Sequence, residues 1–145
     1  MTASDRSIRC SRPCRPLDDE STRLLRSALS ACPDVAFAHL VDVQVEGVGE
    51  QPQLSLFVWL QPDSLRSLRN SLNLVSEAVA GAIPRDRCVD VLILNSAPEL
   101  LVDVERVGCL FVERDAEQRR LASEAAQQGR EGERERTGST TWWPY

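Results

Sequence analysis

The hydrophobic positions of the chain fall into short blocks with two different periods. Over residues 17–32 and 62–84 they recur every three to four residues, which is the period of an amphipathic helix. Over residues 35–60 they recur at every second position, which is the period of a strand with a buried face. A loop with two glycines and a proline, 47–52, interrupts that stretch. We therefore predict two antiparallel strands joined as a hairpin.

Start and stop signals divide the rest of the pattern into three helices. The first begins at an Asp18 cap and ends at Pro33, and the second begins at Pro62 and ends at Pro84. The third is short, begins at a Ser-x-x-Glu capping box at 96–99 and ends at Gly108. The predicted buried face of the second helix consists of Leu65, Leu68, Leu72, Val75, Val79 and Ile83.

Two further extended segments complete the predicted domain. The apolar run from Cys88 to Leu94 is typical of a central strand buried on both faces, and Cys109–Val112 is a last extended segment. The fold class is α+β, a mixed β-sheet with packed helices in the order α-β-β-α-β-α-β. The predicted organisation is a disordered basic leader (1–15), one α+β domain (16–113), a marginal helix (114–128) and a disordered tail with an aromatic end (129–145).

Composition narrows the class of protein. A chain of 145 residues with 42% hydrophobic residues fits one soluble globular domain. The longest apolar run, Leu56–Leu60, is far shorter than a bilayer span, and the Ser/Arg-rich start lacks the apolar segment of a secretory signal. We expect a cytoplasmic protein without membrane association.

The charge is unevenly distributed. Residues 1–16 carry four arginines and one acid (+3), residues 17–112 seven arginines and 14 acids (−7), and residues 113–145 six arginines and seven acids (−1). Because an acidic domain is repelled by phosphate backbones, we expect no nucleic-acid partner.

The five cysteines are an odd number, which fits free thiols in a reducing compartment. Cys32, Cys88 and Cys109 stand beside apolar residues, so we predict that all three are buried. Cys10 and Cys14 form a C-x3-C pair with no second ligand pair nearby, and we predict no metal or cofactor site.

His39, the single histidine, stands between Phe37 and Val41 on the apolar face of the first hairpin strand. We interpret it as a space-filling residue whose ring nitrogens bind backbone groups. Asp42 and Asp90 each interrupt an apolar strand, but Asp42 stands on the polar side of its strand, so a catalytic pair is not favoured. No catalytic residue is assigned, and we expect a protein that is not an enzyme.

The order of elements and several short segments resemble the C-terminal domain of the SseB family, bacterial proteins described as enhancing serine sensitivity. The resemblance covers residues 12–114. It rests on Ala31-Cys32-Pro33-Asp34-Val35, Ala38-His39-Leu40, Ile83-Pro84 with Val89-Asp90-Val91, and Phe111-Val112-Glu113-Arg114. It implies an α+β fold and assigns no catalytic residue. His39 occupies a position where the family tends to have Tyr or Phe, which agrees with a space-filling role.

The favoured hypothesis is a non-enzymatic protein-interaction or regulatory domain. The alternatives are a small acidic dimer similar to secretion chaperones, or a small-ligand binder or enzyme without a recognisable motif. Trp142, Trp143 and Tyr145 follow a polar stretch at the end of the chain, and aromatic residues are favoured anchors at interfaces. They are the predicted partner-binding residues, for a protein partner or for self-association.

Overall fold

The computed structural model describes residues 8–45 and 48–138. Within them, a five-stranded sheet lies between two pairs of helices. The strands are β1 (Ile8–Ser11), β2 (Val35–Val45), β3 (Val48–Leu60), β4 (Asp90–Ile93) and β5 (Leu110–Glu113). The helices are α1 (Asp19–Ser30), α2 (Leu68–Ala82), α3 (Leu100–Val107) and α4 (Ala116–Gly138), with short 3-10 helices at Pro62–Ser67 and Leu94–Ser96. The predicted α+β class is confirmed.

The long strand β2 organises the sheet. On one side it pairs antiparallel with β3, so the predicted hairpin is confirmed, but β3 begins at Val48, inside the predicted loop 47–52. On the other side β1 and β5 lie end to end, both antiparallel to β2, along 42–45 and 37–39 respectively. The strand β4 pairs parallel with β3, from Ser55–Asp90 to Val58–Ile93. A parallel neighbour needs a crossover connection, which α2 provides.

Each face of the sheet is covered by one pair of helices. On the first face, Leu25 and Leu29 of α1 and Val75 of α2 pack on the side chains of β2 and β3, represented by Leu56 and Val58. All five side chains are fully buried. The second face is covered by α3, through Leu101 and Val104, and by α4, through Ala122 and Ala126.

Two helix ends agree with the sequence and one does not. The carboxylate of Asp18 accepts a hydrogen bond of 2.7 Å from the Ser21 N–H, as expected for the cap of α1. The helix α3 ends at Gly108, whose φ of 76° lies in the left-handed region that favours glycine. The predicted capping box at 96–99 is wrong, because α3 begins only at Leu100 and Glu99 makes no side-chain capping bond.

Three other expectations need correction. The leader contains a strand, because Ile8–Ser11 pairs with the part of β2 that β5 leaves uncovered. The marginal helix is longer than expected and runs from Ala116 to Gly138, beginning after Asp115, whose carboxylate accepts the Gln118 N–H at 3.0 Å. The segment Cys88–Leu94 is not a central strand, since β4 pairs with β3 alone among the described strands.

Candidate protein-binding site

A groove of about 530 Å³ runs between α2 and β4, along one margin of the sheet. Its helical wall carries mainly apolar side chains, and its other wall is formed by β4 and the loop that precedes it. The lining residues on α2 and at its end are Leu72, Ser76, Val79, Ala80, Ile83 and Pro84. Those on the loop and strand are Arg85, Arg87, Cys88, Val89, Asp90 and Val91.

The strand β4 has a free hydrogen-bonding edge beside this groove. Its inner edge pairs with β3, and within residues 8–45 and 48–138 no strand pairs with its outer edge. A strand in this position presents backbone N–H and C=O groups that another extended chain can pair with. The groove therefore joins an apolar surface to a row of backbone donors and acceptors.

Exposed leucines extend the apolar surface on both faces of this edge. Leu68 is the first residue of α2 and lies one turn before the groove residue Leu72, on the same side of the helix, with 39% of its surface exposed. Val91 packs on the first core, so its neighbour Leu92 points to the opposite face, where it is 41% exposed. A chain added beside β4 would contact apolar side chains above and below.

The loop that closes the groove is held in place by hydrogen bonds. The Arg87 guanidinium donates to the carbonyl oxygens of Arg15, at 2.6 Å, and Pro16, at 3.3 Å. The side-chain amide of Gln53 donates to the Cys88 carbonyl at 3.1 Å. These bonds tie the loop to the segment before α1 and to β3.

The exposure of Leu68, and of Leu65 at 42%, corrects the predicted buried face of the second helix. Residues Pro62–Ser67 form a 3-10 helix with a shorter period than an α-helix, which turns Leu65 away from the sheet. Ser71 takes the buried position instead. Its hydroxyl donates to the Asp34 carboxylate at 3.0 Å, which also accepts the Ser64 hydroxyl at 2.8 Å.

His39 lies under α4, away from this groove, and 2% of its surface is exposed. Its ring meets Phe37 edge-on with 5.8 Å between the ring centroids, so the predicted buried position is confirmed. The predicted bonds to backbone are wrong, because neither ring nitrogen has a hydrogen-bond partner among the described residues. Burial, and then the positive charge of Arg119, lower the pKa of His39 to about 4.

The two acids considered as a pair point to opposite faces of the sheet. Asp42 shares the face of Leu40 and Leu54, is buried, and its carboxylate accepts the Cys14 N–H at 2.9 Å. Asp90 alternates with Val91 and so points to the other face, where it is exposed. The structure does not bring them together.

None of the three cysteines predicted to be buried is fully buried. Cys88 is exposed and lines the groove, since the strand that was to bury it begins only at Asp90. Cys32 and Cys109 are half-buried, and none of the five cysteines forms a disulfide. Over the described ranges, no group of three or more metal-ligating side chains is found.

The predicted partner-binding residues Trp142, Trp143 and Tyr145 lie outside the described residues. No helix in the described part of the chain is long and apolar enough to cross a membrane. The groove itself was not predicted from the sequence. The only local signals for it were the helix end at Pro84 and the polar loop 85–87 that follows.

Comparisons with protein-family models, with curated proteins and with solved structures find no match to this chain.

Proposed function

We propose that this protein is a non-enzymatic protein-interaction domain that binds an extended segment of a protein partner as an added strand beside β4. The observation that carries the proposal is the free edge of β4 next to the apolar groove formed with α2. Strand addition to an exposed sheet edge is a recurrent mode of peptide recognition, in which backbone hydrogen bonds give affinity and side-chain pockets give specificity.

The two parts of the site contribute differently to binding. Each backbone hydrogen bond contributes about 1 kcal/mol net, and the four residues of β4 allow only a few such bonds. The groove residues Leu72 and Ile83, with Leu68 beyond them, supply apolar area at about 25 cal/mol per Å² buried. Binding therefore needs both the backbone ladder and the apolar contacts.

A library of extended peptides displayed on phage tests the proposal on the full chain. We expect the selection to yield peptides that bind the unaltered protein. Their affinity should fall at least about tenfold, or about 1.4 kcal/mol, for Leu68→Glu, which alters one face of the β4 edge, and for Leu92→Lys, which alters the other. Matched controls are Leu74→Glu, at a 49% exposed position elsewhere on α2, and Leu121→Lys, at a 46% exposed position on α4. These controls should bind like the unaltered protein.

A second measurement separates strand addition from simple hydrophobic contact. N-methylation of alternate backbone amides in a selected peptide removes donors of the ladder and leaves every side chain in place. We expect one of the two alternating methylation patterns to abolish binding and the other to be tolerated. If both methylation patterns are tolerated equally, the peptide does not bind by strand addition. If the affinity of the peptides is unchanged in the Leu68 and Leu92 variants, the peptides do not bind at the β4 edge.

A further inference from the structure

We infer that the segment bound beside β4 carries an acidic side chain that pairs with Arg85, preceded by alternating apolar residues. This inference rests on the proposed function and names the chemistry of the partner. Its starting point is the difference between the two arginines in the wall of the groove.

Within the described part of the chain, the Arg87 side chain makes hydrogen bonds that hold the loop and the Arg85 side chain makes none. The guanidinium of Arg87 is engaged by the carbonyl oxygens of Arg15 and Pro16. Arg85 lines the same groove, is exposed, and makes no hydrogen bond or ion pair with the described residues. A guanidinium held at the end of an apolar groove is well suited to a carboxylate, with which it forms paired, parallel hydrogen bonds.

The charge of the groove also differs from that of the domain around it. Residues 17–112 carry a net charge of −7. The groove lining has Arg85 and Arg87 against the single acid Asp90, a net of +1. The exposed Asp86 stands between the two arginines but is not part of the lining. An acidic peptide is therefore repelled less at this groove than over the rest of the domain, which favours this location for it.

The position of Arg85 indicates at which end of the bound segment the acidic residue lies. Arg85 lies five residues before Asp90, where β4 begins, at the end of the groove where α2 terminates. Because antiparallel pairing is slightly more stable per residue than parallel pairing, we take the added strand to be antiparallel to β4. It then ends near the start of β4, so its acidic residue comes last. Its preceding residues alternate between the α2 face, beside Leu72, and the opposite face, beside Leu92.

The test uses a designed eight-residue peptide of alternating valine and threonine that ends in two glutamates, labelled for fluorescence anisotropy. We expect replacement of the glutamates by lysine to weaken binding about three- to tenfold at low salt, and the difference to shrink as salt is added. Arg85→Glu should weaken the glutamate peptide and strengthen the lysine peptide. Arg69→Glu, at the other end of α2, is the matched control and should change neither.

The outcomes separate this inference from the proposed function. Binding that depends on Leu92 but not on peptide charge, or a larger effect of Arg69→Glu than of Arg85→Glu, overturns the acidic motif and leaves strand addition intact. Absence of any peptide that depends on Leu92 refutes both. The inferred acidic segment would also be overturned if something else were found to occupy the groove. A dimer that Leu92→Lys dissociates would assign the groove to a second copy, and tighter peptide binding after removal of residues 139–145 would assign it to the end of the chain.

Discussion

Replacing His39 by Phe tests the energetic account of the buried aromatic cluster. His39 is 2% exposed and neither of its ring nitrogens is hydrogen-bonded among the described residues. A buried donor or acceptor left unsatisfied costs about 1–3 kcal/mol, and Phe removes both such groups. The larger phenyl ring adds an overpacking cost of about 1–3 kcal/mol against Phe37 and its neighbours. We therefore expect His39→Phe to hold or raise the free energy of unfolding at pH 7, by up to about 2 kcal/mol.

The pH dependence gives the sharper measurement. The pKa of His39 falls from 6.5 to about 4 on folding, so between these values the unfolded chain binds a proton that the folded protein does not. The stability due to neutral His39 is therefore complete above pH 6.5 and is lost as the pH falls toward 4. A difference of about 2.5 pKa units corresponds to a maximum loss of about 3 kcal/mol.

Urea unfolding of both proteins at intervals from pH 7.5 to pH 4 measures this loss. We expect the stability advantage of His39→Phe to grow as the pH falls from 6.5, because the variant has no imidazole to protonate. Carboxylates common to both proteins, such as Asp18 and Asp115 with their lowered pKa values, cancel in the difference. A variant that loses several degrees of melting temperature at pH 7, or a difference that does not change with pH, would refute the reasoning.

Three further predictions concern other parts of the structure. Cys14 and Cys88 should react fastest with a thiol reagent in the native protein, because they are the two exposed cysteines, and a bound peptide should slow Cys88 alone. Asp34→Ala should lower the free energy of unfolding by about 1–3 kcal/mol in urea titrations, since the hydroxyls of Ser64 and Ser71 lose their acceptor. Truncation after Gly138 keeps α4 whole and should leave the melting temperature unchanged, whereas loss of a bound partner would implicate Trp142, Trp143 and Tyr145.

The features that the sequence predicted correctly depend on neighbours in the chain. The Asp18 cap binds the N–H of Ser21, three residues later, and the left-handed turn at Gly108 needs only glycine itself. The hairpin of β2 and β3 pairs two strands that follow one another directly in the chain. Each of these can be recognised within a window of a few residues, or from two consecutive strand patterns.

The features that were missed depend on distant partners. Ile8–Ser11 has little apolar character of its own and becomes a strand because β2 extends beyond β5. The apolar run that contains β4 has the same composition at the edge of a sheet as at its centre, so its place follows only from the pairing of all the strands. Leu65 was assigned to the core because a regular α-helical period was assumed through the 3-10 segment that contains it.

The proposed function requires that the edge of β4 bind a partner without aggregating. Long, flat apolar edges pair indiscriminately, and natural proteins limit this with short edge strands and charged residues. The edge strand here has four residues and begins with the exposed Asp90, so its backbone alone offers too few bonds for indiscriminate pairing. The remaining affinity has to come from the groove wall on α2 and from Leu92 on the other face. A segment bound as proposed would have to contact the β4 backbone, the groove wall on α2 and Leu92, and this requirement would make the open edge selective.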